Sequence, residues 1–437
     1  MHLEQFNQDF FSFLSSSPTP FHAVKYISDL FQKNGFKQLF ENRTWDTRAG
    51  EGYYCVRDNG TIIGIKLAKK SAANAAWRMT GAHTDSPALQ LKPIPVRDSN
   101  STTQLCVEVY GGPLLATWFD RDLGIAGRVM CSDKKGTILT CLIDFKRPVA
   151  IIPSLAIHLD RDANKEHTVK RQKHLYPLLC HSTNGQEKTF FNDVLLQQIK
   201  LEHPDLPVKN ILGFDLFCYD TQPPTVTGVH NDFITAGRLD NLVSCFVSAK
   251  SLLQNQINDN CLMLCSNHEE IGSSSMAGAR GNFLSTVLSR LIPEASDRNM
   301  ALHDSYFLSL DNAHGVHPNF PEKHDPQHLP LLNHGPVIKY NSNQRYATTS
   351  KSAALYKMLA SEVDVPVQEF VMNNDLTCGS TIGPIAATNL GIQTVDIGIP
   401  SLAMHSIRET SGVKDPYMLY QTISHFYSRS VLPQTEE

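Results

Sequence analysis

The sequence CLMLCSNHEEIGS, residues 261–273, places two adjacent glutamates shortly after a run of mostly apolar residues. The apolar run is typical of a buried strand, so Glu269 and Glu270 follow the point where that strand ends. Two carboxylates this close resist joint ionisation, and a buried carboxylate needs a partner or a metal ion. An isolated glutamate pair is usually solvated in a strand-to-helix turn, so the surrounding sequence must decide between a turn and a site.

Strands and helices alternate on both sides of this stretch. Residues 239–254 have the apolar spacing of a helix, as do residues 352–363, whereas residues 306–311 and 393–400 have the pattern of strands. This alternation predicts an α/β fold with a mainly parallel mixed sheet flanked by helices.

The pattern changes between residues 95 and 228, where short β-rich runs are separated by Gly, Asp and Lys turns. We therefore expect an α/β domain formed by residues 1–94 and 229–437, with a β-rich domain, residues 95–228, inserted between its parts. Near the N-terminus, residues 4–14 and 22–33 show the spacing of amphipathic helices.

The composition is that of a folded protein of enzyme size. The chain has 437 residues, 41% of them hydrophobic, and a formal net charge of -4, which gives no reason to expect a nucleic-acid partner. No apolar run reaches the roughly 18 residues of a membrane span, and the acidic N-terminus does not resemble a secretory signal. The ten cysteines are scattered singly, as in a reducing compartment, so we expect a cytoplasmic protein that does not associate with membranes.

Ionisable residues follow the apolar strands at several separate places in the chain. They are His83 and Asp85, Asp240, the pair Glu269 and Glu270, Asp311 with His314 close behind it, and His405. In open α/β sheets, sites form in the crevice beyond the carboxyl ends of the strands. Taken singly, an Asp before Asn is typical of a turn or an N-cap, and a lone His is usually a satisfied polar residue. Their shared position at strand ends favours a common site.

These side chains match the needs of two neighbouring divalent ions, which lie about 3.5 to 4 Å apart in such sites and need a bridging anion. The candidate ligands are the bridge Asp240, the imidazoles of His83 and His405, and the carboxylates of Glu270 and Asp311. Glu269 is then left to act as general base on the activated water, and Asp85 can orient the imidazole of His83. We expect two Zn²⁺ ions, although Co²⁺ and Mn²⁺ accept the same ligands.

Seven segments taken in chain order resemble the M18 metallo-aminopeptidases, the aspartyl aminopeptidase family. They are GAHTDSPALQLKP, GRLDNL, SNHEEIGSSSMAGA, SLDNAHGVHPN, GPVIKYNSNQRY, NDLTCGSTIGP and LAMHSIRE. The resemblance extends over nearly the whole chain. It implies a co-catalytic dinuclear zinc site on a zinc-exopeptidase-like α/β domain, with an inserted β-rich dimerisation domain.

The resemblance also implies roles for individual residues. One ion is expected to bind His83, Asp240 and Asp311, and the other Asp240, Glu270 and His405, with Glu269 as general base. His158 matches a histidine that enters the neighbouring subunit's site and holds the substrate carbonyl, and Lys339 matches a cation near the side chain of the first residue. The implied assembly is a dodecamer built from dimers, and the implied substrates are peptides.

Other residues are less specific. We include His314 among the substrate-binding candidates, together with Gly379, Ser380 and Thr381, which precede an expected helix and could equally form an ordinary helix N-terminus. Two other functions remain open: a related dinuclear deacylase or carboxypeptidase, and a catalytically idle scaffold or cargo protein. The intact ligand set and base argue against the idle scaffold.

Overall fold

The computed structural model of the protein describes residues 2–69, 72, 74–166, 168–182, 187–254, 259–429 and 431–432, with the backbone alone at 187–189. The α-helices of this part of the chain are α1 (Leu3–Ser15), α2 (Pro20–Lys33), α3 (Arg171–His174), α4 (Glu187–Glu202), α5 (Leu239–Leu252), α6 (Phe283–Leu291), α7 (Ala295–His303), α8 (Ser350–Ser361), α9 (Ile382–Leu390) and α10 (Asp415–Ser428). Among the described residues, no helix is long and apolar enough to cross a membrane.

The β-strands are β1 (Lys37–Leu39), β2 (Gly52–Arg57), β3 (Thr61–Lys66), β4 (Trp77–His83), β5 (Ala88–Ser99), β6 (Thr102–Tyr110), β7 (Leu123–Ser132), β8 (Ile138–Asp144), β9 (Leu178–His181), β10 (Asn210–Asp220), β11 (Thr225–Thr227), β12 (Phe233–Ala236), β13 (Asn260–Ser266), β14 (Tyr306–Leu310), β15 (Ala313–His314), β16 (Val337–Tyr340), β17 (Gln368–Val371), β18 (Gln393–Gly398), β19 (Pro400–Leu402) and β20 (Glu409–Gly412). Short 3-10 helices are η1 (Leu115–Trp118), η2 (Glu269–Ile271) and η3 (Pro321–Lys323).

The chain divides into two compact units whose bounds differ from those expected from the sequence. The first unit is formed by Met1–Asp85, Pro224–Met404 and Glu409–Glu437, and the second by Ser86–Pro223 and His405–Arg408. The expected boundary after residue 94 lies too late, because β5 pairs with β6 and β10 of the second unit. The expected boundary after residue 228 also lies too late, because β11 pairs with β12 of the first unit.

The first unit is built on a mixed sheet with the strand order β1-β2-β3-β13-β4-β14-β18-β16-β17. Its centre is parallel, since β13, β4, β14 and β18 pair in parallel in that order. Every residue of β4, β13 and β14 is buried, which is typical of strands covered on both faces. The predicted mainly parallel mixed sheet flanked by helices is therefore confirmed.

Helices form a core on each face of this sheet, and successive strand residues point to opposite faces. Met263 of β13 packs in the core that includes side chains of α1, α2, α5, α8 and α10. Its neighbour Leu264 packs in the core that includes side chains of α6, α7 and α9. The two helices expected near the N-terminus are confirmed as α1 and α2.

The carboxyl ends of the central parallel strands lie at one edge of the sheet. Ser266, the last residue of β13, is paired with His83, the last residue of β4. The neighbouring strand β14 ends at Leu310, directly before Asp311. The side chain of Asn241 donates from Nδ2 to the Leu310 carbonyl at 2.7 Å and so fastens the start of α5 to this edge.

A smaller sheet with the order β11-β12-β20-β19-β15 completes the first unit. Its β12 and β20 are antiparallel and pair Ala236 with Glu409. Because α5 begins three residues after Ala236, this pairing brings Glu409 close to the first turn of that helix.

The second unit is a β-rich body with the strand order β8-β7-β10-β5-β6-β9. All of these pairings are antiparallel. Helix α4 buries Leu195 and Ile199 in the same core as Leu89 and Val129 of the sheet. The role of this unit in dimerisation stays a prediction.

Candidate metal centre

The imidazole of His83 lies among several carboxylates of the first unit. Its Nε2 atom is 3.4 Å from Asp240 Oδ1, 3.9 Å from Asp311 Oδ1 and 4.0 Å from Glu269 Oε2. One ligand atom each from His83, Asp240 and Glu270 lies within 4.8 Å of the others. The fold thus brings together five of the predicted site residues from widely separated parts of the chain.

The orientation of His83 directs Nε2 to these carboxylates. Its Nδ1 atom lies 3.0 Å from the backbone oxygen of Asp85, to which an N–H can donate, and 3.5 Å from the carboxylate of the same residue. A proton held on Nδ1 leaves the lone pair on Nε2, which is the arrangement found in histidine metal ligands.

A sharp turn after β13 allows both glutamates to face the same region. Adjacent side chains on an extended strand point to opposite sides, but His268 adopts a left-handed φ of 63° and Glu269 begins the 3-10 helix η2. The two carboxylate oxygens of Asp85 accept the backbone N–H groups of Glu269 and Glu270, each at 3.1 Å. Asp85 therefore holds the turn as well as the imidazole of His83, a role that the sequence did not reveal.

Asp240 is held at the kinked start of α5. Asp240 and Asn241 depart from helical dihedral angles, and the peptide bond between them is cis. The backbone N–H of Asp240 donates to Glu409 Oε2 at 2.9 Å, and Glu409 is itself buried. Sequence analysis missed Glu409, because the two residues are 169 positions apart and no local pattern links them.

Negative charge is concentrated around His83. Burial alone would lower the pKa of His83, but hydrogen bonds with Asp240, Asp311 and Asp85 outweigh it and raise that pKa well above its usual value. Burial raises the pKa of Glu269 to about 8 against the opposing effect of His83, and the nearby carboxylates add to the rise. Both shifts show that this region favours added positive charge, whether as protons or as a cation.

The donor atoms fit a divalent metal ion. Imidazole nitrogen and carboxylate oxygen are ligands of Zn²⁺ in proteins, and Co²⁺ and Mn²⁺ accept the same set. A divalent cation would also relieve the excess of negative charge that the pKa values of His83 and Glu269 reveal. His83, Asp240, Glu270 and Asp311 could therefore hold a metal ion in the first unit.

Two predicted residues belong to the second unit. The Nδ1 atom of His405 lies 3.1 Å from the Gly112 carbonyl, to which it can donate, and this leaves the lone pair of the ring on Nε2. His158 is exposed in a turn. The role of His405 as a metal ligand stays a prediction, and so does the role of His158 in contacting the substrate.

Lys339, predicted to contact the substrate, is buried against the Asp311 segment. Its Nζ atom lies 3.8 Å from Asp311 Oδ2, donates to the Asn312 carbonyl at 3.2 Å and lies 5.0 Å from the centroid of the Tyr346 ring. Burial lowers the pKa of His314, and the charge of Lys339 lowers it further. Both candidates therefore lie on the Asp311 side of the cluster.

The segment before α9 forms a helix N-terminus. Thr381 is the N-cap residue: its Oγ1 atom accepts the N–H of Gly383 at 3.2 Å and donates to Asp396 Oδ1 at 2.6 Å. Gly379 and Ser380 are exposed. Thr381 therefore caps an ordinary helix N-terminus, which was one of the two alternatives that the sequence allowed. A contact of Gly379, Ser380 and Thr381 with substrate stays a prediction.

A mixed α/β sheet with an imidazole and carboxylates at the carboxyl ends of its central strands has the donor atoms and the position that suit a metal-dependent α/β enzyme. Comparison with known proteins identifies the family. The family described as aminopeptidase I zinc metalloprotease (M18) matches residues 13–427. The chain belongs to this M18 family of aminopeptidases, and the resemblance identified from the sequence is confirmed.

Relatives support this assignment along the whole chain. A probable M18 family aminopeptidase 2 of Stutzerimonas stutzeri (strain A1501) is 48% identical over 430 residues, which cover 98% of this chain and 100% of the relative. The cryo-EM structure of the Ape4 and Nbr1 complex contains a chain with a TM-score of 0.94 and 34% identity, covering 98% of this chain and 86% of that chain. The structure of the S. cerevisiae mApe1 dodecamer gives a TM-score of 0.84 and 29% identity, and the match covers 97% of this chain and 96% of that chain.

Proposed function

We propose that the protein removes N-terminal residues, preferably Asp or Glu, from peptides at a centre of two divalent metal ions, which we take to be Zn²⁺. The observation that carries the proposal is the convergence of carboxylates on the Nε2 atom of His83, with Glu269 among them. The description of the family as a zinc metalloprotease supports the choice of metal.

The residues that would hold the ions are His83, Asp240 and Asp311 for one, and Asp240, Glu270 and His405 for the other. Such ions supply Lewis-acid activation of water and of the scissile carbonyl. Glu269 accepts a proton from the attacking water and returns it to the leaving amine. Cationic charge nearby favours the ionised carboxylate of Glu269 and so opposes the burial that raises its pKa.

The assembly is part of the same proposal. We infer a homo-oligomer with the dimer as building unit and the dodecamer as final form, which the S. cerevisiae mApe1 dodecamer supports. In such an assembly the exposed His158 would reach a neighbouring subunit and hold the substrate carbonyl. A cytoplasmic location, and the absence of nucleic-acid and membrane partners, remain predictions.

The test is a hydrolysis profile over aminoacyl substrates, repeated after chelation and after re-addition of single metals. We expect release of N-terminal amino acids, fastest from Asp or Glu substrates, to stop on chelation and to return with Zn²⁺, Co²⁺ or Mn²⁺. Cleavage of N-acylated substrates in preference to free amines would indicate a deacylase or carboxypeptidase. No release from any substrate by the metal-loaded protein would leave the scaffold function.

Replacing Lys339 by methionine tests the acidic preference. The variant keeps the buried stem but removes the ammonium, so kcat/KM for aspartyl substrates is expected to fall about 10-fold while leucyl substrates change little. Lys165→Met, at an exposed position, is the matched control. An equal loss on both substrates would show that Lys339 acts only by supporting Asp311 and Asn312.

A further inference from the structure

Asp396 is a buried carboxylate to which the proposed mechanism gives no part. It lies in β18, where it is paired with Ser309 of β14, and it is 0% exposed. The carbonyl of the next residue, Ile397, accepts the backbone N–H of Asp311 at 2.8 Å. Burial of a carboxylate is costly unless hydrogen bonds compensate for it, so the partners of Asp396 indicate what it supports.

The two oxygens of Asp396 hold two different loops. The β16–α8 loop consists of residues 341–349, and the β17–α9 loop consists of residues 372–381. In the first loop, the backbone N–H of Ala347 donates to Asp396 Oδ2 at 2.6 Å. In the second, the hydroxyl of Thr381 donates to Asp396 Oδ1 at 2.6 Å. One side chain therefore joins the ends of both loops.

The surroundings of Asp396 are built for this close approach. Its backbone N–H donates to Thr348 Oγ1 at 3.0 Å, which adds a second bond to the β16–α8 loop. In the first turn of α9, a Cβ atom added at Gly383 would overlap both carboxylate oxygens of Asp396. The N–H of Gly383 donates to Thr381 Oγ1 at 3.2 Å, so this turn packs directly on the carboxylate.

The two loops also contact each other. The hydroxyl of Ser380 donates to the Arg345 carbonyl at 3.3 Å, and Cys378 packs against the apolar cluster that contains Tyr346. Beyond these contacts, the loops carry runs of exposed residues, which are 342–345 and 374–377. The arrangement of these exposed residues therefore depends on what holds the buried ends of the loops.

The β16–α8 loop is linked to the candidate metal centre by direct contacts. Tyr346 precedes Ala347 in this loop, and the centroid of its ring lies 5.0 Å from Lys339 Nζ. Lys339 Nζ in turn lies 3.8 Å from Asp311 Oδ2. A chain of packed groups thus connects the loop end that Asp396 holds with a candidate metal ligand.

We propose that Asp396 is a positioning residue that holds the β16–α8 and β17–α9 loops in one arrangement, on which the affinity for the peptide depends. This inference rests on the proposed aminopeptidase function, in which Lys339 and residues 379–381 contact the substrate. Asp396 acts through the loops, so its loss is expected to raise KM while kcat and metal content change little.

The test compares two substitutions of Asp396. Asp396→Leu fills a similar volume without any acceptor, so KM for the best aminoacyl substrate is expected to rise about 10-fold, since two buried hydrogen bonds are lost, while kcat stays within about 3-fold. In Asp396→Asn the amide oxygen can accept the N–H of Ala347, and the NH2 group can donate to Thr381 Oγ1. Asp396→Asn should therefore recover most of the loss in KM.

Asp415 provides the matched control. It is another buried carboxylate of the first unit, and it accepts the N–H of Asn333 at 2.7 Å and that of Gly335 at 3.0 Å. Asp415→Leu loses bonds of the same kind at a different loop and should leave KM unchanged. Thermal unfolding verifies that each variant is folded. An equal rise of KM in Asp415→Leu, or an unchanged KM in Asp396→Leu, overturns the inference.

Hydrogen–deuterium exchange measures the two loops without turnover and so separates this inference from the proposed function. Thr381→Val is a milder change that removes only the hydroxyl bonded to Asp396 Oδ1. Amides of the β16–α8 loop are expected to exchange at least about 3-fold faster in this variant, although the substitution lies in the other loop. Faster exchange confined to the β17–α9 loop overturns the inference. Faster exchange in both loops supports the positioning role even if no peptide is hydrolysed.

Discussion

Glu269→Gln is expected to lower turnover by at least about 100-fold, or about 3 kcal/mol of barrier, while the protein still binds metal. The amide has the size of the carboxylate but cannot accept a proton from water. Glu269 is suited to the proton transfer because its side chain is 16% exposed and its Oε2 atom lies 4.0 Å from His83 Nε2. Its neighbour Glu270 is the residue whose carboxylate oxygen lies within 4.8 Å of ligand atoms of His83 and Asp240 and could hold a metal ion with them.

Two measurements decide this prediction: kcat on the best aminoacyl substrate, and metal content by elemental analysis. Glu294→Gln makes the same chemical change at an exposed position on the N-cap of α7 and should leave both values unchanged. Glu270→Gln should lower metal content, which distinguishes a ligand from a base. Near-normal turnover in Glu269→Gln would mean that the base is misassigned.

The fold and the grouping of strand-end residues could be predicted because both follow from local patterns. Apolar spacing gives the element types, and parallel neighbours deliver their carboxyl ends to one edge. His83 ends β4 and Asp311 directly follows β14, so their proximity follows from the pairing of these strands. The turn that allows Glu269 and Glu270 to face one region had to be assumed at that stage, and the left-handed His268 provides it.

The supporting contacts could not be predicted, because they join residues that no periodicity links. Glu409 accepts the N–H of Asp240 across the antiparallel pairing of β12 and β20. Asp85 lies 184 positions from Glu269, whose N–H it accepts. The burial of Lys339 was equally hidden, since a lone lysine in a sequence is usually a surface residue.

The boundaries of the two units could not be predicted for the same reason, since they depend on pairing between residues far apart in the sequence. The strand β5 is a long β-rich run on either side of the expected boundary after residue 94, and only its partners decide which body it joins. Residues 405–408 belong to the second unit although the segments around them belong to the first. The boundaries of the two units therefore depend on which strands pair, and not on the composition of each segment.

Asp240→Asn is expected to remove most of the bound metal and to lower activity by about 1000-fold, since metal ions contribute several kcal/mol to stabilising charge in the transition state. Asp240 is 4% exposed, and its Oδ1 atom lies 3.4 Å from His83 Nε2. A neutral amide oxygen is a weaker ligand than a carboxylate and cannot balance the charge of two cations. The same change removes one negative charge from the group that raises the pKa of His83.

Stability measurements make this prediction specific. Metal at 1000 times its Kd should stabilise the unchanged protein by about 4 kcal/mol, and Asp240→Asn should lose most of that increment. Without metal, the variant also loses the interaction of Asp240 with the imidazole of His83, so each protein is compared with and without metal and only the metal-induced increment is used. Asp46→Asn, where the side chain is 82% exposed, is the control for charge alone. Equal metal content and equal metal-induced stabilisation in Asp240→Asn would exclude Asp240 as a ligand.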